Sequence, residues 1–245
     1  MQERYLGDWH DLVKYALLRF LGDALELRIG VNWYLTCPEE LGENDRKDGE
    51  KRHHLNSKEW EKLDSDLFKR ICHFNDPAKR RLASIKEAEI LPWDTLYFEE
   101  PVPCSKEEER HAWHQRARLA LADADLIFLD PDNGFEVKSM KPRKKPKYAF
   151  FKEAADFFLM DKVVVGIQFA RQRDPIKWGI KQKERLHAES GEQDMLPIIR
   201  GRVSPNILFL TLSPPELVKQ VKKALCDFAD CSPKYDGNKK RVEII

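Results

Sequence analysis

A short apolar segment that runs directly into a polar turn is the strongest constraint on how this chain folds. Residues 126–129 have the sequence LIFL, without alternation of apolar and polar side chains. Such a segment is typical of a strand buried on both faces, as in the middle of a parallel sheet covered by helices. Pro131 cannot donate a hydrogen bond to a neighbouring strand, so the strand has to end at Asp130.

Three polar side chains follow this strand at once, and we predict that they form a functional site. Asp130, Asp132 and Asn133 precede Gly134, a residue that tolerates the positive φ of a tight turn. In open α/β sheets, ligands bind outside the carboxyl ends of the strands. The three side chains are therefore candidate catalytic residues. The structural alternative is a strand that ends in an ordinary Asx-type turn.

Helical and strand patterns alternate along the rest of the chain. This alternation predicts an α/β fold, a Rossmann-like three-layer sandwich with a mainly parallel sheet covered on both faces. With 245 residues, the chain suits a single domain, 1–245. Residues 39–92 interrupt the pattern and are interpreted as a polar loop plus a helical insertion.

Polar residues also open the first helix, which is otherwise apolar almost all round. Asp8 is placed to cap this helix, and Asp11 and Lys14 lie in its first turns. Thr36 ends the first core strand. These four residues are candidate cofactor-binding residues, and we expect them to meet Asp130 in one cleft at the carboxyl edge of the sheet. Asp8 and Asp11 could equally be helix caps and nothing more.

The basic residues of the chain are concentrated in one third of it. The net charge is +1, yet residues 138–202 hold 16 Lys and Arg against 8 Asp and Glu. A basic third on a near-neutral chain suggests an anionic partner such as a nucleic acid. Pro142 and Pro146 predict that residues 138–147 form an exposed, extended loop. The candidate contacts are Lys141, Arg143, Lys144, Lys145, Arg171 and Arg173. A solubilising surface is the alternative.

Cysteine content and hydropathy indicate the cellular compartment in which the protein is expected. The five cysteines are scattered and form no CxxC pair, which favours a reducing cytoplasm and argues against a disulfide framework or a cysteine metal site. No apolar run approaches the ~20 residues of a membrane span. We therefore expect a cytoplasmic protein without a membrane partner, and we predict no metal site.

Two motifs carry a resemblance to a known family. The sequence GDWHDLVK at positions 7–14 is similar to the opening of bacterial adenine-N6 methyltransferases that act on ribosomal RNA. The sequence DPDN at positions 130–133 resembles the [DN]-P-P-[YFW] turn of the wider N6-adenine family. The chain also resembles an uncharacterised bacterial family that shares FLDPDNG, found here at positions 128–134.

The resemblance implies a methyltransferase-like fold and S-adenosylmethionine as methyl donor. It implies that Asp130 accepts a hydrogen bond from the amino group of a base and that Pro131 shapes the turn. Asp8, Asp11 and Lys14 would lie near the cofactor.

Three functions remain open from the sequence. The first is a methyltransferase-like enzyme that acts on a nucleic acid. The second is a nuclease in which Asp130, Asp132 and Glu136 gather Mg²⁺, a cation that prefers oxygen ligands. The third is a non-catalytic module that binds nucleic acid. No glycine lies between the first strand and Gly42, so the backbone there is shielded by Cβ atoms. This turn predicts weak or absent S-adenosylmethionine binding.

Overall fold

A seven-stranded sheet forms the centre of the described structure. The computed structural model describes residues 2–37, 41–42, 58–104, 106–237 and 239–245. The strands of the sheet are β1 (Ile29–Asn32), β2 (Leu96–Phe98), β3 (Leu126–Leu129), β4 (Val163–Ala170), β5 (Ile199–Gly201), β6 (Asn206–Leu212) and β9 (Val242–Ile244). A separate hairpin joins β7 (Lys234–Asp236) to β8 (Lys239–Lys240).

The strand order is β2-β1-β3-β4-β6-β5-β9. Strands β2, β1, β3 and β4 pair in parallel, whereas β6 is antiparallel to both β4 and β5, and β9 is antiparallel to β5. Five of the seven strands therefore run in one direction, and the expected α/β class is confirmed for the described residues. The chain passes from β1 to β2 on one side and later returns to β3 on the other. This reversal marks a crevice at the carboxyl ends of β1 and β3, where α/β sheets bind ligands.

Helices cover both faces of the sheet and create two cores. Side chains of α1 (Trp9–Leu25) and α8 (Val218–Cys231) pack on one face. Side chains of α5 (Glu107–Ala120), α6 (Phe151–Phe158) and α7 (Pro175–Ser190) pack on the other. Because the strands alternate their side chains, Phe128 lies in the first core and Leu129 in the second.

The helical part of the 39–92 insertion is a series of short elements. These are α2 (Lys58–Glu61), α3 (Ser65–Ile71), α4 (Ala83–Glu87) and the 3₁₀ turns Cys72–Asn75 and Pro77–Lys79. Trp60, Ile71, Phe74 and Ile85 are buried in the same core as α1. Residues 39–40 and 43–57, which include most of the expected polar loop, lie outside the described residues.

The basic segment after the 130–134 turn is not extended, and this expectation was wrong. Residues Pro142–Lys147 form a 3₁₀ helix, in which Tyr148 donates its backbone N–H to the carbonyl of Lys145 at 3.0 Å. Arg110 of α5 donates to the carbonyls of Lys145 at 3.0 Å and Tyr148 at 2.6 Å. This buried guanidinium fixes the turn, so the basic side chains are grouped instead of spread along a line.

Across the described ranges, no helix combines the length and the apolar character that a membrane crossing requires.

Candidate functional site at the carboxyl edge of the sheet

Asp130 lies at the bottom of the crevice between β1 and β3. Its backbone N–H donates to the carbonyl of Asn32 at 3.0 Å, which continues the parallel pairing by one residue. The side chain is 1% exposed. Its Oδ1 accepts from the ammonium of Lys14 at 2.8 Å, and its Oδ2 has no hydrogen-bond partner. A buried carboxylate with a free oxygen is unusual, because an unmade hydrogen bond costs about 1–3 kcal/mol.

Lys14 holds two carboxylates together beneath the crevice. Its ammonium bonds Asp11 at 3.0 Å and Asp130 at 2.8 Å, and the residue is 6% exposed. Burial alone would lower the pKa of Lys14, but the carboxylates of Asp130 and Asp11 outweigh it and raise that pKa. Burial raises the pKa of Asp11 to about 6. The Lys14 ammonium therefore supplies the positive charge that allows a carboxylate to be ionised in this interior.

Asp8 caps α1 and also lies in this charged cluster. The residue therefore combines the two roles that the sequence left as alternatives, a helix cap and a member of a polar site. Its Oδ1 accepts the backbone N–H groups of His10 at 2.8 Å and Asp11 at 3.1 Å. Burial would raise the pKa of Asp8, yet His10 and Lys14 reverse this and lower it. His10 lies 3.3 Å from Asp8 through Nδ1 and 3.0 Å from the carbonyl of Pro205 through Nε2. The start of α1 is thereby tied to the far side of the crevice.

Asp132 connects the turn after β3 to Thr36. Thr36 does not end β1 as predicted, because the strand already ends at Asn32. Asp132 accepts a hydrogen bond from the hydroxyl of Thr36 at 3.2 Å, and Lys147 lies 3.4 Å away. Burial alone would raise the pKa of Asp132, but Lys147 and Thr36 are among the groups that lower it overall. The backbone N–H of Asn133 donates to the carbonyl of Lys147 at 2.9 Å. The turn and the basic segment are therefore one unit.

Gly134 fixes the turn against the end of β4. Its φ is +83°, and it forms an isolated antiparallel bridge with Gln168. A Cβ at this position would meet Gln168, with the Cα only 2.9 Å away. Phe135, the aromatic residue nearest to the turn, is 1% exposed and stacks on Phe151 at 4.8 Å. It belongs to the core, and in this conformation it is not presented for contact with a ligand.

The predicted basic residues surround the same edge. Lys141, Arg143 and Lys145 are exposed on the 3₁₀ helix, whereas Lys144 is half-buried. Arg171 and Arg173 are exposed just beyond the end of β4. The structure therefore brings Asp8, Asp11, Lys14 and Asp130 into one cluster, joins Thr36 to Asp132 beside it, and sets the cations around its rim.

Three further residues contact this cluster and were not among the predicted site residues. Asn32 is fully buried, with Nδ2 unpaired, and it is the one polar side chain of β1. Its isolation in an apolar strand was a usable signal. His10 is one of the polar residues that open α1, but its contact with Pro205 joins positions distant in sequence, and Lys147 and Asp132 likewise meet only in the fold.

The cluster does not suit a divalent metal. Within the described ranges, no three His, Cys, Asp or Glu side chains are arranged to hold one. The Lys14 ammonium already occupies the space between Asp11 and Asp130. Glu136, the third ligand of the nuclease hypothesis, accepts the backbone N–H of Phe151 at 3.2 Å.

Two described positions after β1 have a positive φ, and both are closed by side chains; residues 38–40 of the turn that was predicted to bind S-adenosylmethionine weakly lie outside the described residues. Tyr34 has a φ of +47°, but its buried ring is held by a 2.9 Å hydrogen bond from its hydroxyl to Glu153. The position where glycine would admit a ligand thus carries a side chain. Gly42 also has a positive φ, yet the guanidinium of Arg143 fills the place of its absent Cβ.

No protein-family model and no curated protein matches this chain.

Proposed function

We propose that this chain is a methyltransferase-like protein that binds a nucleic acid and receives an amino-bearing base at Asp130. The observation that carries the proposal is the Asp130 carboxylate. It is buried at the switch point of the sheet, with one oxygen on Lys14 and the other without a partner. An exocyclic amino group of adenine or cytosine donates the hydrogen bond that Oδ2 lacks.

The burial of Asp130 determines how a base can reach it. Since the carboxylate is closed to solvent, the base has to leave its stack, and the residues above Asp130 have to move. A hydrogen bond to a charged group is worth about 1.5–3 kcal/mol. The exposed cations at the rim, among them Lys141, Lys145, Arg171 and Arg173, are suited to the phosphates.

Methyl transfer to that amino group is a second candidate function, and one specific observation favours it. The 7–14 and 130–133 segments carry the family resemblance, and they meet at the Lys14–Asp130 ion pair. Because side chains close the positions of positive φ at Tyr34 and Gly42, we still expect weak S-adenosylmethionine binding. We therefore expect recognition of the base to be detectable before, and independently of, any methyl transfer.

A binding experiment with one changed base tests the proposal. Two labelled single-stranded oligonucleotides are compared that differ at one position, adenine or purine, so that only the exocyclic amino group is removed. The native chain is expected to favour adenine by about tenfold. Asp130→Asn is expected to lose this preference, because the amide is no longer a charged acceptor.

The control variant is Asp161→Asn, which makes the same charge change at an exposed residue on the opposite edge of the sheet. Thermal melts establish that each variant is folded. Equal affinity of the native chain for both oligonucleotides would refute recognition of the amino group at Asp130. Labelled S-adenosylmethionine, added to the same mixtures, reports methyl transfer directly. Thermal shifts with S-adenosylmethionine and with Mg²⁺ then compare the remaining alternatives.

A further inference from the structure

The rim of the crevice carries several exposed cations. Lys141, Arg143, Lys145, Arg171, Arg173 and Lys177 are all exposed, and none of them forms an ion pair with an acidic side chain of the described residues. Some arginines elsewhere on the surface do pair with carboxylates, as Arg116 does with Glu100 at 2.8 Å and Arg70 with Glu89 at 2.6 Å. The rim charges are therefore free to meet an anionic ligand.

Two of these arginines lie over aromatic rings. The guanidinium of Arg173 lies 3.8 Å from the ring centroid of Trp178, and that of Arg171 lies 5.5 Å from that of Phe169. The Trp178 indole is itself fixed, since its Nε1 donates to the carbonyl of Phe169 at 3.2 Å. The guanidinium group is planar and positively charged, and nucleobases stack on arginine guanidinium planes and on aromatic rings.

The two basic groups belong to one edge of the molecule. The 130–134 turn leads into the 3₁₀ helix Pro142–Lys147, and Gly134 of this turn bridges Gln168 near the end of β4. Arg171 and Arg173 follow β4 directly, and α7 begins there with Asp174 as its cap. Asp130 therefore lies between the two groups of cations.

We propose that the nucleic acid bound at this edge is single-stranded, with one base stacked on the Arg173–Trp178 pair next to the base that enters the crevice. This inference rests on the proposed function and specifies its substrate class. A duplex hides the faces of its bases, so it cannot use the stacking surface. It also has to be opened before any base reaches a carboxylate as deeply buried as Asp130.

The test compares a labelled single strand of about 15 nucleotides with a blunt duplex of the same sequence over a range of salt concentrations. The single strand is expected to bind at least tenfold more tightly. Arg173→Lys keeps the positive charge but removes the planar guanidinium group, so it should weaken single-strand binding by about tenfold. The slope of log affinity against log salt concentration should not change. Arg173→Ala should also reduce the slope by about 0.7.

Lys222→Ala is the matched control, because it removes one exposed cation from α8 on the other face of the sheet. It should leave affinity and slope unchanged. Equal or tighter binding of the duplex would overturn the single-strand inference, as would an Arg173→Lys variant that binds like the native chain. Loss of the adenine preference in Asp130→Asn, combined with equal affinity for duplex and single strand, would preserve the proposed function and reject only this inference. Absence of all nucleic-acid binding would reject both.

Discussion

Replacing Lys14 by Met tests whether this one ammonium supports the charge cluster beneath the crevice. Lys14 bonds Asp11 at 3.0 Å and Asp130 at 2.8 Å, and both carboxylates are at most 2% exposed. Met has a similar length and fits an apolar interior, so the substitution removes the charge with little change in volume. Two buried carboxylates then lose their common cation.

The cost in stability should be large and should depend on pH. Removing one partner of a buried ion pair costs about 3–5 kcal/mol. The pKa of Asp11 is already raised to about 6, and it should rise further without Lys14. A raised pKa means that the folded state binds more protons than the unfolded state, so stability falls as pH rises. The decrease in the unfolding free energy caused by Lys14→Met should therefore reach its full size at pH 8. It should be about 2 kcal/mol smaller at pH 5, since one pKa unit corresponds to about 1.4 kcal/mol.

Urea unfolding of the native chain and of Lys14→Met at pH 5 and pH 8 measures both quantities. Lys152→Met, at an exposed position of α6, is the matched control and should change stability by less than about 0.5 kcal/mol at either pH. The double variant Lys14→Met with Asp130→Asn should recover part of the loss at pH 8. A loss below about 1 kcal/mol, or an equal loss at both pH values, would show that the cluster does not depend on Lys14.

Three further predictions follow from particular contacts. Burial raises the pKa of Glu192, whose side chain is 4% exposed, to about 7. The free energy of unfolding should therefore fall as pH rises from about 4.5 to 7. Urea unfolding at pH 5 and pH 8 should show that Glu192→Gln removes this dependence, which is on the order of 1 kcal/mol. In thermal unfolding, Gly134→Ala should lower stability by about 2 kcal/mol more than Gly191→Ala does. Both glycines have a positive φ, but only the Cβ added at position 134 meets Gln168. Equal losses of stability would contradict this reasoning. Arg110→Lys should destabilise the chain by about 2–3 kcal/mol and weaken oligonucleotide binding. A lysine cannot form two hydrogen bonds to Glu153 and also bond the carbonyls of Lys145 and Tyr148. Unchanged oligonucleotide binding by a folded variant would contradict the expected effect on binding.

The α/β class of the fold and the positions of several individual elements could be predicted from the sequence. The LIFL run predicted a strand buried on both faces, and the structure gives β3 the bounds Leu126–Leu129 with each residue buried. Asp8 was predicted as a helix cap, and it accepts the backbone N–H groups of His10 and Asp11. These features depend on residues that are neighbours in the chain, so local rules are enough to find them.

The contacts that define the site were decided only by the tertiary structure. Lys14 meets Asp130, and Thr36 meets Asp132 across 96 positions, because the crossover connections place the ends of α1, β1 and β3 side by side. The antiparallel position of β6 between β4 and β5 likewise pairs it with β4, a segment that is not its neighbour in the chain. The basic segment shows the same limit, since Arg110, 35 residues before Lys145, holds it in a 3₁₀ turn. Local sequence sets which residues favour strand, helix or turn, whereas long-range burial and hydrogen bonding decide which of them meet.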